Sequence, residues 1–89
     1  MQIRIKGARV LDPGNMDEKK DILIKDHLIE AVVNPEDAEI GADTRIIDAG
    51  GMVVVPGLID IHVHLREPGH EYKETIETGI MAAAKGGFT

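Results

Sequence analysis

The sequence predicts an α/β protein with a small β part: short antiparallel strands first, then one strand–loop–helix unit of a parallel sheet. Three observations carry this. Before Gly50-Gly51 the chain alternates apolar and polar residues between turn-forming clusters. After the two glycines, Met52–Val55 and Leu58–Leu65 are almost continuously apolar, as strands covered on both faces are. From about Glu71 the apolar spacing turns helical.

In the first half, Gln2–Val10 places Ile3 and Ile5 on one strand face and Arg4 and Lys6 on the other. Asp12-Pro13-Gly14-Asn15 supplies turn chemistry. Asp21–Lys25 and Leu28–Val33 are separated only by Asp26-His27, the spacing of a β-hairpin. Asn34-Pro35-Glu36-Asp37 ends that hairpin, and Thr44–Asp48 reads as one more strand. Residues 1–52 are therefore expected to form part of a small antiparallel sheet.

In the second half, Pro56-Gly57 stops the run Met52–Val55, and Leu58–Leu65 follows as a strand. Arg66–His70, with Pro68-Gly69, is expected as a loop. Tyr72, Ile76, Ile80 and Ala83 recur at helical spacing, and Gly86-Gly87 closes the helix. Phe88-Thr89 then resembles the start of another strand. One strand and one helix leave a parallel sheet unfinished, so the sequence is expected to be truncated, with both parts (1–52 and 53–89) incomplete.

Composition narrows the function. The chain has 89 residues, 43% hydrophobic and 29% charged, which is globular rather than disordered. Tyr72 and Phe88 are the only aromatics, and the formal net charge is −6, so a nucleic-acid partner is not expected. Without cysteine there is no disulfide scaffold or thiolate metal site. The N-terminus lacks a signal-peptide pattern, and Met52–Ile59 is too short to span a bilayer. No membrane partner is expected, and the expected location is the cytoplasm.

The chemistry lies in Asp60-Ile61-His62-Val63-His64-Leu65-Arg66. On a strand, positions 60, 62, 64 and 66 share one face, so His62 and His64 reach one metal ion from the same side. Neutral imidazole suits zinc, which lowers the pKa of bound water to about 7. Asp60 is placed to orient a ligand imidazole through its second nitrogen, and Arg66 to grip a carboxylate with its planar fork. A bare HxH is common by chance; the apolar strand, the Asp before, the Arg after and the Pro-Gly loop give this one its weight. The alternative for Asp60 is a strand-end solubiliser and for Arg66 a surface cation. His27 and His70 read as exposed turn and loop residues, Lys73 and Lys85 as solvated. Glu71, Glu74 and Glu77 read as a polar helix face complementing the helix dipole.

From Pro56 to Gly69 the segment resembles the first barrel strand of the amidohydrolase superfamily. The continuation Glu71–Gly79 and Ala82–Thr89, together with Ile5–Val10, is similar to the long-chain (type I) bacterial dihydroorotases. Allantoinases and hydantoinases share the HxH but lack the Leu-Arg pair after the second His. The resemblance implies a partial β-sandwich followed by the first βα unit of a (β/α)₈ TIM-like barrel. It implies zinc-dependent, reversible cyclisation of N-carbamoyl-L-aspartate to L-dihydroorotate in pyrimidine biosynthesis, in a protein that forms homo-oligomers.

Under that resemblance His62 and His64 bind the more buried of one or two zinc ions. Arg66 holds the substrate carboxylate, and Asp60 is supporting. No catalytic acid or base falls in this segment: the family's carboxylated Lys, two further His, late-strand Asp and substrate-holding Asn have no counterpart here. The 89 residues alone are thus expected to be inactive. Other readings are a different cyclic amidase, a non-catalytic partner of aspartate transcarbamoylase, or a small metal-binding or oligomer-forming module.

Overall fold

Gln2–Asp12 forms strand β1, and every other strand of the first half pairs with it or with its hairpin partner. The computed structural model describes residues 1–89 and resolves into two units, Met1–Pro56 and Gly57–Thr89.

In the first unit, the turn at Pro13–Asn15 returns the chain as β2 (Met16–Lys25), antiparallel to β1; the Asn15 amide donates to the Asp12 carbonyl at 2.9 Å. Asp26 and His27 both adopt positive φ, 49° and 70°, the mark of a type I′ turn, and lead into β3 (Leu28–Val33). The second hairpin is as its turn residues predict; at the first the turn was expected, but β2 starts at Met16 and not at Asp21.

The remaining strands differ from expectation. β4 (Thr44–Asp48) and β5 (Val53–Val54) both run parallel to β1, beside Gln2–Lys6 and Arg9–Val10 respectively. The sheet is mixed, with the order β3-β2-β1-β4. The reason is topological. β3 lies at one edge, and the connection through the short 3₁₀ turn Pro35–Asp37 carries the chain to the opposite edge, where it enters parallel to β1. Because Val53–Val54 joins this sheet, the unit extends past residue 52 to Pro56.

The small core comprises Ala8, Val10, Ile22 and Ala49, with Arg4 and Asp21 beside them at 5% and 0% exposure. The alternation in β1 assigned Arg4 to a polar outer face; it is instead buried and ion-paired with Asp21 across the hairpin. Its Nη2 also donates to the Pro35 carbonyl at 3.2 Å, tying down the crossing connection. The pairing of β1 with β2 shifts between Ile5 and Ala8, a β-bulge with Gly7 at φ 74°. The Gly7 amide donates to the other Asp21 oxygen at 2.9 Å. Asp21 thus accepts from both a side chain and the bulge.

The second unit contains one parallel bridge and one helix. Leu58 pairs with Phe88: the Leu58 amide donates to the Gly87 carbonyl at 2.8 Å and the Thr89 amide to the Leu58 carbonyl at 2.9 Å. The strand expected over Leu58–Leu65 is reduced to that bridge. No other strand lies in the unit, so residues 59–65 have no ladder to join. Their apolar side chains, expected to be covered, are open: Ile59, Ile61 and Val63 are 79%, 96% and 60% exposed.

Helix α1 spans Ile76–Lys85 and starts five residues later than the spacing from Glu71 suggests. Thr75 is the reason. Its hydroxyl accepts from the Thr78 amide at 3.2 Å, and the Thr78 hydroxyl accepts from the Thr75 amide at 2.9 Å, closing a capping box. Tyr72 falls in the turn before it, 80% exposed. At the other end, the Gly87 amide bonds to the Ala84 carbonyl and the Phe88 amide to the Ala83 carbonyl, with Gly87 at φ 92°. This is a Schellman ending, and it aims the chain back at Leu58.

Removing one member of a buried ion pair strands the other charge. Asp21→Ala is expected to destabilise the first unit by about 3–5 kcal/mol, seen as a lower urea midpoint by circular dichroism. The joint replacement Arg4→Met with Asp21→Leu should cost much less, leaving mainly the orphaned Gly7 amide.

Candidate functional site

Residues 60–75 have little regular structure, so their backbone amides find partners elsewhere. Asp60 Oδ1 accepts from the His62 amide at 3.1 Å, bending the chain directly before the two histidines. Sequence reasoning gave Asp60 to the second nitrogen of an imidazole; here it holds backbone instead.

His62 and His64 converge. Their Nε2 atoms are 3.0 Å apart and their ring centroids 5.0 Å apart, with the planes tilted by 42°. In a tetrahedral zinc site with Zn–N distances of ~2.05 Å, two nitrogens stand roughly 3.3 Å apart. The pair therefore fits two adjacent corners of such a site. No cluster of three or more His, Asp or Glu side chains is assembled in the chain, so the pair supplies only part of a coordination shell.

Arg66 occupies the left-handed region at φ 66°, which costs a non-glycine residue about 1–2 kcal/mol. The turn that follows holds it there. The Arg66 carbonyl accepts from the His70 amide at 2.9 Å, and the His70 carbonyl accepts from the Lys73 amide at 2.9 Å. Just before it, Leu65 packs over buried Gly79 of α1, where an added Cβ would come within 2.8 Å of Leu65 Cδ2. Just after it, Glu67 Oε2 accepts from the Ile76 amide at 2.8 Å, satisfying an otherwise free donor at the start of α1. Lys73 Nζ lies 5.7 Å from the Tyr72 ring centre.

Glu71 accepts from the Gly69 amide at 3.0 Å. Its own amide first, then that of Gly69, hold its carboxyl below the usual range, against a small opposing effect of desolvation. Asp60, Glu67 and Glu71, the carboxylates nearest Arg66 in sequence, are thus all engaged with backbone N–H groups. The ion pairs of the chain all lie within the first unit, and Arg66 joins none of them. Its guanidinium is exposed and free for an external carboxylate. Sequence reasoning overlooked Glu67, Thr75 and Thr78. The Thr75-x-x-Thr78 spacing carried a capping signal, but nothing local marked Glu67, whose partner lies nine residues on.

Among solved structures this chain is similar to a D-hydantoinase, with a TM-score of 0.84 and 35% identity over 100% of this chain and 19% of that one. It is also similar to a β-aspartyl dipeptidase from Fervidobacterium islandicum AW-1, with a TM-score of 0.63 and 34% identity over 88% of this chain and 20% of that one. These neighbours are amidohydrolase-family proteins. Residues 51–89 match the family described as dihydro-orotase-like. Over its whole length the chain is 65% identical to the dihydroorotase of Desulforapulum autotrophicum and 50% identical to that of Syntrophus aciditrophicus. The chain is thus similar in sequence to the N-terminal part of these dihydroorotases. The chain spans about a fifth of the length of those relatives, 21% in both cases.

Because the folded-state pKa of Glu71 lies below its unfolded value, its hold on the loop is present above the ordinary carboxylate range. That hold is lost as pH falls through the lowered pKa. The Gly69 amide proton shift, followed by NMR, should titrate with a midpoint below the ~4.3 of a free glutamate. Glu71→Gln should abolish the titration.

Proposed function

We propose that this chain is the N-terminal part of a metal-dependent dihydroorotase, which interconverts N-carbamoyl-L-aspartate and L-dihydroorotate in pyrimidine biosynthesis in the cytoplasm. The observation that carries the reading is the paired His62 and His64 nitrogens, 3.0 Å apart, two residues from an unpaired Arg66. The similarity to dihydroorotases across the whole chain supports it.

In this reading His62 and His64 are two of the ligands of a zinc centre, and residues 57–89 are the first βα unit of a barrel. Residues 1–56 contribute to the small β-sandwich. The Leu58–Phe88 parallel bridge, with α1 between its partners, supports that assignment because a strand–helix–strand crossover is the repeating unit of such barrels. A bound zinc ion polarises a carbonyl and acidifies water.

The residues of this chain bind and orient. Cyclisation joins the ureido nitrogen to the side-chain carboxyl of carbamoyl aspartate and releases water, leaving the other carboxylate outside the ring. Arg66 is suited to that surviving carboxylate: a planar fork of donors makes two parallel charge-assisted hydrogen bonds. It thereby fixes the ureido group against the carboxyl it attacks, the positioning that makes an intramolecular closure fast. Asp60 supports by bending the backbone before the ligands.

In the full-length protein, Arg66→Met should raise KM for carbamoyl aspartate about 10–100-fold, the loss of a charge-assisted pair, and lower kcat less. An unchanged KM would favour a hydantoin-type cyclic amide, which has no such carboxylate. Elemental analysis should show zinc in the full-length protein, reduced by His62→Ala or His64→Ala, and near none on the 89-residue polypeptide.

A further inference from the structure

We propose that Glu67 is a positioning residue for Arg66, an inference that rests on the reading of Arg66 as the substrate-carboxylate group. Arg66 sits between two anchors on the same helix. Leu65 lies on Gly79 in the first turn of α1, so close that no larger residue fits there without displacing it. Glu67 reaches across nine residues to the Ile76 amide at 2.8 Å. With both neighbours fastened to α1, the backbone of Arg66 has little freedom to leave its positive-φ conformation, and the bond from the His70 amide to its carbonyl closes the third side.

The bond has a second effect. Glu67 is the carboxylate next to Arg66 in the chain. The start of α1 competes for that carboxylate with an unsatisfied N–H and the positive end of the helix dipole. Holding Glu67 there keeps the guanidinium open. One hydrogen bond therefore both fixes the Arg66 backbone and leaves its charge available.

The test uses the full-length enzyme and carbamoyl aspartate. Glu67→Ala is expected to raise KM about tenfold, with kcat changed much less, because a misplaced binding group weakens substrate capture. Glu67→Gln keeps an acceptor oxygen and should recover most of that loss. In an Arg66→Met background Glu67→Ala should add nothing further, since its effect passes through the arginine. A merely structural role would add in both backgrounds.

If Glu67→Ala does not fold, Glu67→Asp serves instead. It retains the charge but withdraws the oxygen from the Ile76 amide, and the same rise in KM is expected. An effect of Glu67→Ala that persists undiminished beside Arg66→Met, or no effect while Arg66→Met raises KM, overturns the role of Glu67 and leaves that of Arg66 standing. An unchanged KM in Arg66→Met overturns the reading of Arg66 itself.

Discussion

A carboxylate accepting a backbone N–H recurs wherever this chain leaves regular structure. Asp21 takes the amide of Gly7 at the bulge, Asp48 that of Gly50 after β4, and Asp60 that of His62 before the imidazole pair. Glu71 takes the amide of Gly69 in the loop, and Glu67 that of Ile76 at the start of α1. Each of these donors lies where no ladder or helix bond is available, and an ionised acceptor makes a stronger bond than a neutral one. The excess of acidic over basic residues, 16 against 10, thus has structural work beyond solubility.

The candidate site depends on this device more than the sheet does. The sheet has its own backbone ladders, whereas residues 59–75 have one bridge at one end and a helix at the other. Between them the chain is shaped by side chains bonded to nearby amides, with Leu65 seated on Gly79. That arrangement leaves two converging imidazoles and an exposed guanidinium without a carboxylate partner among the nearby acids. It also separates holding from binding: the carboxylates hold the chain, and the nitrogen groups remain available.

What could be read in the sequence was what is locally encoded. The turn at Pro13-Gly14-Asn15 and the hairpin at Asp26-His27 were legible, because a tight turn is specified by the residues that make it. His62 and His64 converge, but on an irregular segment and not on the strand from which their period-two spacing was read. Parallel pairing of β4 and β5 with β1 was hidden, since it depends on where a long connection crosses and not on any local pattern. Arg4 was misassigned because alternation registers a charged residue as solvent-facing, while its partner Asp21 lies seventeen positions away. The late start of α1 was set by Thr75 and Thr78, whose polar side chains outweigh the apolar spacing that includes Tyr72.

The buried Arg4–Asp21 pair also selects among ways of closing the first hairpin. The surrounding core is small, built from Ala8, Val10, Ile22 and Ala49. Sliding β2 past β1 by one position would turn Asp21 to the opposite face and leave a guanidinium sealed in without its counter-charge. A hairpin misaligned by one position is therefore disfavoured on electrostatic grounds as well as by the displacement of Ile22 from the core. The ion pair works as a key that admits one alignment, and the position of every later strand beside β1 follows from it.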